Sequence, residues 1–300
     1  MSRVAYLGPE GTFTHQAALA LAPGAQLAPA VDPGAIVRAV ESGECEAGVL
    51  NFESSVEGEV TASIDALVLD GAHCVIAAER VLPVSFALFR LPGDRAPLCG
   101  VASHPFALAQ CRLALAGLEL RSSSSTGEAC AWLADERRPG WGALAAPLAG
   151  EPHGLELAAE GQEDEPGGVT RFVLLGRRAP APTGRDLSAF AVRPDRDRPG
   201  SLVAILQEFS LRRVNLTAIT SRPAKGALGE YFFYLECQGH LLDPSVRDAV
   251  VGVLELPMEV RFLGSFPEDP DRPDRRAAPG HERAAATYAE LRALVAEGGG

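Results

Sequence analysis

The sequence predicts an α/β protein in two parts, and three observations lead to that prediction. Short apolar runs alternate with helical patterns up to about residue 178, which is typical of a parallel sheet covered by helices. A Pro-rich segment over 179–186 follows, as expected of a linker. The run after it reads β-α-β-β-α-β, which is the ferredoxin-like order.

The first half of the α/β region predicts strands and helices in succession. The run RVAYLG over 3–8 is a short apolar strand, and a glycine turn then leads into a helix that Thr12 or Thr14 can cap with a side-chain oxygen. Further along we predict a helix over 35–44, a strand over 47–53, a helix over 63–72 and two strands within 74–91, with Pro83 at an edge or bend.

The second half repeats this pattern. Residues 99–117 and 120–136 each read as a strand, a polar turn and a helix, and residues 141–154 as a short strand followed by a helix. An acidic loop then returns the chain to a last strand in GGVTRFVLLG. Thr170 and Arg171 stand where this buried strand begins, so they are either ordinary polar residues at a strand edge or residues that face a substrate.

The C-terminal part predicts a compact domain over 187–267. A strand is followed by a helix that starts near Gly200, then by two strands, a helix over 243–256 and a strand over 260–266. Residues 268–300 are rich in Pro, Asp and Arg at first, and we expect them to be disordered or to form a single helix.

Composition excludes several classes of protein. The chain of 300 residues is 47% hydrophobic, enough to bury a substantial core, and its net charge of −12 argues against a nucleic-acid-binding face. We find no stretch of 18 apolar residues that would span a membrane, and the apolar run at the N-terminus is too short for a signal peptide, so we expect a cytoplasmic protein. The six cysteines form no C-x-x-C pair, so we expect neither a metal site nor a disulfide framework, and we expect most of these thiols to be buried.

Polar residues cluster where strands end and helices begin, at 8–14, 103–105 and 122–128. In open α/β sheets, ligands bind outside the carboxyl ends of the strands, and helix N-termini attract anions. Each turn taken alone can equally be a helix cap, and GPEGT lacks the lysine and the spacing of a phosphate loop. Their joint placement predicts a site for a small dianion.

These motifs resemble those of the prephenate dehydratase family. In the first part the matching stretches are YLGPEGTFTHQAA, SHPFALAQCR, SSTGEA, GLELAAE and TRF; in the second they are GSLVAIL, VNLTAITSRP, LGEYFFYLECQGH and VRFLGS. The resemblance runs from about residue 4 to residue 266, in the order and spacing of the family. Together, these stretches identify the chain as similar to that family over most of its length.

The resemblance implies an enzyme that decarboxylates and dehydrates prephenate to phenylpyruvate, without a cofactor or metal. It implies two lobes around a cleft, as in a periplasmic binding protein, followed by a regulatory ACT domain, in a homodimer or homotetramer. On this basis we assign residues 1–178 to the catalytic region, with lobes of 1–75 plus 155–178 and of 76–154. L-phenylalanine is the expected effector.

The same resemblance assigns roles to residues. Thr170, in the T-R-F motif, would donate a neutral hydroxyl to the departing oxygen, and Arg171 would order the cleft or pair with a carboxylate. The substrate-binding residues would be Thr12, Glu53, Ser54, Ser55, Ser103, His104, Ser124, Ser125, Thr126 and Phe172. The effector-binding residues would be Gly200, Ser201, Leu202, Val203, Asn215, Leu216, Thr220, Ser221, Arg222 and Pro223.

The chain departs from the family pattern at three positions. Where the family reads P-I-E-N-S-x-E-G, residues 51–58 read NFESSVEG, so Asn51 replaces a proline and Ser54 replaces an amide that contacts substrate. Where the family reads E-S-R-P, Thr220 replaces the glutamate. Ser54 leaves open an enzyme that acts on arogenate or decarboxylates prephenate without aromatising it, and a non-catalytic aromatic-acid-binding protein is a third alternative.

Overall fold

The computed structural model describes residues 2–196, 198–224 and 230–272. Its first elements form the first lobe: β1 (Arg3–Leu7), α1 (Phe13–Leu21), β2 (Gln26–Ala30), α2 (Pro33–Glu41), β3 (Ala47–Ser54), β4 (Gly58–Glu59), α3 (Thr61–Asp65) with a π-helical turn over Ala66–Asp70, and β5 (Val75–Pro83). Side-chain caps fix where the helices begin. Asp32 Oδ1 accepts from the N–H of Ala35 at 2.7 Å, and Pro33 supplies a favourable first helical residue.

The second lobe comprises β6 (Ala87–Arg90), β7 (Gly100–Ser103), α4 (Pro105–Gln110), β8 (Glu119–Ser122), α5 (Thr126–Glu136), β9 (Trp141–Ala145) and β10 (Glu156–Ala159). The helix predicted within 141–154 is wrong: only a single 3-10 turn forms, over Glu151–His153. Pro147 and Pro152 interrupt that stretch, and a proline cannot continue a helix from its interior. The chain then returns to the first lobe as β11 (Val169–Gly176).

Both sheets are mixed and not wholly parallel, which corrects the sequence-based prediction. The first sheet has the order β2-β1-β3-β11-β5, in which β1, β2 and β3 run parallel while β11 is antiparallel to both β3 and β5. The second has the order β10-β6-β9-β7-β8, with antiparallel pairing at β10-β6 and β6-β9. In each of these orders the reversed strand is the one by which the chain enters from the other lobe, β6 in the second sheet and β11 in the first.

The lobe boundaries lie later than predicted. Strand β5, over 75–83, belongs to the first sheet, and β10, over 156–159, belongs to the second sheet. The two crossings between the lobes therefore lie at about 84–86 and 160–168. They run side by side where Val84 N donates to Gly168 O at 2.8 Å.

The C-terminal domain has the predicted ferredoxin-like order. It consists of β12 (Asp186–Pro194), α6 (Ser201–Leu211), β13 (Leu216–Pro223), β14 (Tyr231–Gln238), α7 (Pro244–Leu254) and β15 (Met258–Pro267). Its antiparallel sheet has the order β13-β14-β12-β15. Alternate residues of β12 serve two cores: Phe190 and Val192 pack against the helices, whereas Leu187 and Ala189 pack towards the first lobe.

One core joins the C-terminal sheet to the first sheet. Leu50, Phe52 and Val173 of the first lobe share a buried cluster with Tyr234 and Phe266 of the C-terminal domain. Residues through Asp269 accordingly form one compact unit. The packing continues past the predicted domain end at 267, because the Asp269 N–H donates to Glu79 Oε1 at 2.9 Å; residues 273–300 of the predicted tail lie outside the described residues.

Two further expectations from the sequence concern the burial of the cysteines and membrane-spanning segments. Of the six cysteines, five are buried as predicted, and Cys99 is exposed. Over the described ranges, no helix has the length and apolar character that a membrane crossing requires.

The first lobe and the C-terminal domain approach each other closely at Gly264, which has φ +131°. A Cβ atom built there would lie 2.3 Å from the carbonyl oxygen of Ile76. We therefore expect Gly264→Ala to lower the free energy of unfolding by about 2–4 kcal/mol, from backbone strain and from overpacking. Gly184→Ala is the matched control, since Gly184 has φ +89° and no atom within 4 Å of a built Cβ, and its loss should be about 1–2 kcal/mol. Chemical denaturation followed by circular dichroism measures both values, and equal losses would contradict the steric argument.

Candidate active site

A cavity of about 530 Å³ lies between the two lobes. Both lobes contribute to its wall: the β1–α1 turn, β3 and β11 from the first lobe, and Phe86, α4 and the start of α5 from the second. The predicted catalytic residue Thr170 lines it, together with the predicted substrate-binding residues Thr12, Ser54, His104, Ser124, Ser125, Thr126 and Phe172. The polar turns that the sequence scatters over more than 150 residues thus meet in one cavity.

Thr170 and Phe172 line this cavity from β11, the strand through which the chain returns to the first lobe. Side chains alternate along a strand, so these two residues share a face. Thr170 is partly exposed and lies in register with Ser54 of β3 on one side and Leu82 of β5 on the other. Thr170 therefore belongs to the cavity wall.

Arg171 does not line the cavity, which corrects the expectation that it pairs with a substrate carboxylate. Its side chain lies on the opposite face of β11, where Nε donates to Glu79 Oε2 and Nη2 donates to Glu236 Oε2, both at 2.5 Å. Burial alone would lower the pKa of Arg171, but the negative charges of Glu236 and Glu79 outweigh it, and the pKa is raised well above its ordinary value. The guanidinium is therefore held as a cation within the protein.

A β-bulge brings two polar residues of β3 to the same cavity. Arg171 is in register with Glu53, but Phe172 is in register with Asn51, so Phe52 is an extra residue at this point. As a result, Asn51 and Ser54 both line the cavity, although they stand three positions apart. Sequence reasoning did not assign Asn51 to the site. The signals in the sequence were a polar residue inside an apolar strand and the departure from the proline of the family pattern.

The N-termini of α1 and α5 approach the cavity from opposite lobes. Thr12 caps α1, accepting from the N–H of His15 at 3.3 Å and donating to Pro9 O at 3.0 Å. Ser125 caps α5 by accepting from the N–H of Glu128 at 3.0 Å, and the Glu128 carboxylate accepts from Ser124 N at 2.5 Å. Hydrogen bonds from Ser124 hold the pKa of Glu128 below its ordinary value. Each helix still presents first-turn N–H groups that have no partner within the helix.

Three further predicted residues have structural contacts outside the cavity lining. Ser103 is fully buried, and its Oγ donates to Leu144 O at 2.5 Å. Ser55 Oγ accepts from Val169 N at 2.9 Å, which ties β11 to the end of β3. Glu53 lies opposite Arg171, with its carboxylate 3.9 Å from Nη1. These side chains support the cavity wall from behind.

The remaining wall is mainly apolar. The rings of Phe13 and Phe86, one from each lobe, meet edge to face with centroids 5.6 Å apart. Phe106, 59% exposed, lies at the rim. Among the described residues that line the cavity, none is lysine or arginine, and the charged side chain is Glu57. Anion binding here therefore depends on helix N-termini and neutral donors.

The two lobes touch at the cavity through close approaches at two glycines and one side-chain hydrogen bond, in addition to the contact between Phe13 and Phe86. A Cβ atom on Gly11, at φ +82°, would lie 2.6 Å from Ala149 Cα, and a Cβ on Gly127 would lie 2.8 Å from Pro9 Cγ. Gln110 Nε2 of α4 donates to Glu57 Oε1 at 3.1 Å, which bridges the lobes on the rim. Glycine is required at both backbone contacts because any side chain would hold the lobes apart.

The predicted effector residues occupy two regions of the C-terminal domain. Gly200, at φ +88°, precedes α6, which begins with Ser201, Leu202 and Val203. Asn215 and Leu216 line a shallow cavity of about 490 Å³ beside the C-terminal end of α6. Of the residues on β13, which include Ser221 and Pro223, two contact the first lobe: Thr220 Oγ1 bonds to Glu59, and Arg222 forms a bidentate pair with Asp65 at 2.9 and 2.7 Å.

Comparisons with known proteins agree with this architecture. A family model described as Prephenate dehydratase matches residues 4–180, and one described as ACT domain matches residues 196–255. A prephenate dehydratase of Mycobacterium sp. (strain JLS) is 39% identical over 285 residues, covering 89% of each chain. The crystal structure of a prephenate dehydratase from Arthrobacter aurescens, in complex with L-Phe, has a TM-score of 0.81 at 34% identity, over 98% of this chain and 99% of that one. A structure described as GqqA, a novel type of quorum quenching acylase, also has a TM-score of 0.81, at 26% identity over 90% of this chain and 100% of that one.

Proposed function

We propose that this chain, which belongs to the prephenate dehydratase family, carries out its reaction in the cavity between the lobes, with Thr170 as the group that assists departure of the hydroxyl. One observation carries the proposal. The neutral hydroxyl of Thr170 lines the cavity from the strand that joins the lobes, and the N-termini of α1 and α5 lie around it.

The chemistry requires little more than placement and a hydrogen-bond donor. Prephenate carries two carboxylates and a hydroxyl on a cyclohexadiene ring. As the bond from the ring to its carboxylate breaks, the electron pair moves into the ring, and the C–O bond to the hydroxyl breaks on the opposite side. Carbon dioxide departs, the oxygen takes up a proton and leaves as water, and the ring becomes aromatic. A donor aimed at the departing oxygen stabilises the negative charge that develops there.

The cavity offers a complementary place for each part of such a substrate. The apolar walls formed by Phe13, Phe86 and Phe172 suit the ring. The first-turn N–H groups of α1 and α5, on opposite lobes, suit the two carboxylates without bringing a cation to the site. A dianion between these helices would also draw the lobes together.

Asn51 provides the amide that Ser54 lacks. Its Oδ1 accepts a hydrogen bond from Ser63 Oγ at 3.4 Å, and its NH2 group is a donor suited to a carboxylate. Ser54 Oγ, in contrast, accepts from Val56 N at 3.3 Å and from Glu57 N at 3.4 Å. We assign substrate placement to Asn51 and shaping of the β3–β4 turn to Ser54.

Arogenate is the second candidate substrate, and Glu57 favours it. Arogenate carries an ammonium where prephenate carries a keto group, and a carboxylate in the cavity wall would attract that cation. Assays with both compounds, compared by kcat/KM, decide which is the better substrate.

L-phenylalanine is the proposed effector, bound by the ACT domain. The glycine turn before α6, the match to the ACT family model and the L-Phe complex of the Arthrobacter aurescens protein support this assignment. The proposal extends to a homodimer or homotetramer in the cytoplasm. Within the described residues, β13 pairs with β14 alone, and such a sheet edge can pair with a second copy.

We expect Thr170→Ala to lower kcat for prephenate at least ~100-fold, because it removes a positioned donor from the departing oxygen. Thr170→Ser is the matched control, since it keeps the hydroxyl and should keep most of the activity. The absorbance of phenylpyruvate in alkali measures turnover, and circular dichroism checks that the fold is intact. Near-normal kcat in Thr170→Ala would exclude the proposed role.

We expect Asn51→Leu to raise KM for prephenate about tenfold or more, since a hydrogen bond to a charged group contributes about 1.5–3 kcal/mol. Asn51→Asp has nearly the same shape as asparagine but carries a negative charge, so it should raise KM further. Steady-state kinetics on the two variants test this order. An unchanged KM in Asn51→Leu would show that the amide does not bind substrate.

We expect isothermal titration of the full chain with L-phenylalanine to give a saturable heat at or below millimolar ligand. Gly200→Val should abolish it, because valine does not readily adopt the φ of +88° found at this turn. Absence of heat from the parent protein at millimolar ligand would refute effector binding.

A further inference from the structure

Strand β11 carries two consecutive residues with opposite surroundings. Thr170 lines the cavity, while Arg171 is 5% exposed and lies between the first sheet and the C-terminal sheet. Because the two residues share a peptide bond, any displacement of the backbone at Arg171 also displaces Thr170. The placement of the proposed donor therefore depends on what holds Arg171.

The backbone ladder is regular on only one side of this position. Pairing with β5 continues unbroken, with Thr170 opposite Leu82 and Arg171 opposite Val81, but the pairing with β3 shifts by one residue between Arg171 and Phe172. The Arg171 side chain provides a second anchor. Its guanidinium bonds to Glu79 of β5 and to Glu236 of β14, and it stacks over Phe52 and Phe266 at 5.6 and 5.8 Å.

Glu236 is itself held rigidly by the C-terminal domain. The residue is fully buried, its Oε1 accepts from Thr217 Oγ1 at 2.9 Å, and its Oε2 accepts from Tyr234 OH at 3.2 Å. A carboxylate with these partners is fixed in both position and orientation. The clamp on Arg171 is thus built in part from a domain outside the catalytic lobes.

We propose that Glu236 is a positioning residue for Thr170, acting through Arg171, so that the C-terminal domain supplies part of the geometry of the catalytic site. This inference rests on the proposed role of Thr170. It makes the Glu236–Arg171 ion pair the point at which a change in the C-terminal domain reaches the reacting centre.

The test is a double-mutant cycle on the full chain. Glu236→Gln keeps the volume of the side chain but removes its charge, and it should lower kcat about tenfold with KM nearly unchanged, since small misplacements of catalytic groups are costly. In the Thr170→Ala background, Glu236→Gln should change kcat by less than about twofold, because a positioning residue has no effect once the group it positions is absent.

Asp65→Asn is the matched control at the same domain interface. Asp65 pairs with Arg222 of β13, and among the described residues its side chain forms no hydrogen bond or ion pair with β11, so its loss should perturb the interface and leave kcat within about twofold of the parent. If Glu236 had only a structural role, Glu236→Gln and Asp65→Asn would lower kcat equally for the same loss of thermal stability.

The outcomes separate the two proposals. Near-normal kcat in Thr170→Ala would refute the proposed function and this inference with it. If Thr170→Ala lowers kcat strongly, two results would overturn this inference alone. One is a parental kcat in Glu236→Gln, and the other is an equal loss of kcat from Glu236→Gln in the parent and in the Thr170→Ala background. If Glu236→Gln fails to fold, the same cycle with Thr217→Val, which removes the hydroxyl bonded to Glu236 Oε1, gives the same expected non-additivity and the same grounds for rejection.

Discussion

The structure depends on the two faces of β11. Neighbouring side chains on a strand point in opposite directions. One face of β11 lines the cavity, and the other face packs in the core between the first sheet and the C-terminal sheet. Thr170 lies on the first face and Arg171 on the second. The burial of Arg171 would be costly without its carboxylate partners, since removing one partner of a buried ion pair commonly costs about 3–5 kcal/mol. The pair with Glu236 is thus a constraint on how the C-terminal sheet packs as well as a support for the strand.

Much of the fold was predictable because local patterns were strong. The ferredoxin-like order, the helix cap at Thr12 and the polar turns at strand ends all follow from short-range chemistry. The prediction of a parallel sheet was wrong in part, because the direction of β6 and β11 depends on how the chain passes between the lobes, which local pattern does not encode. Asn51 was missed for a related reason: a bulge changes which residues of β3 share a face, and a period of two gives no sign of it.

The face occupied by Arg171 could not have been found from sequence either. An arginine beside a candidate catalytic threonine reads naturally as an anion-binding group, because its partner carboxylates lie far away in sequence, at Glu79 and Glu236. The cavity wall instead relies on helix N-termini and neutral donors. Such a site would bind a dianion through the partial charges of helix termini and would leave stabilisation of the departing oxygen to the Thr170 hydroxyl.

The thin contact between the lobes has a consequence for kinetics. Bare backbone at Gly11 and Gly127 meets Ala149 and Pro9, and Gln110 with Glu57 adds one exposed hydrogen bond. Separating these rims would cost that hydrogen bond and the edge-to-face contact of Phe13 with Phe86, fewer interactions than those that hold β11 between its two neighbouring strands. Entry of a solute would therefore displace the rims before it displaces the strand that carries Thr170.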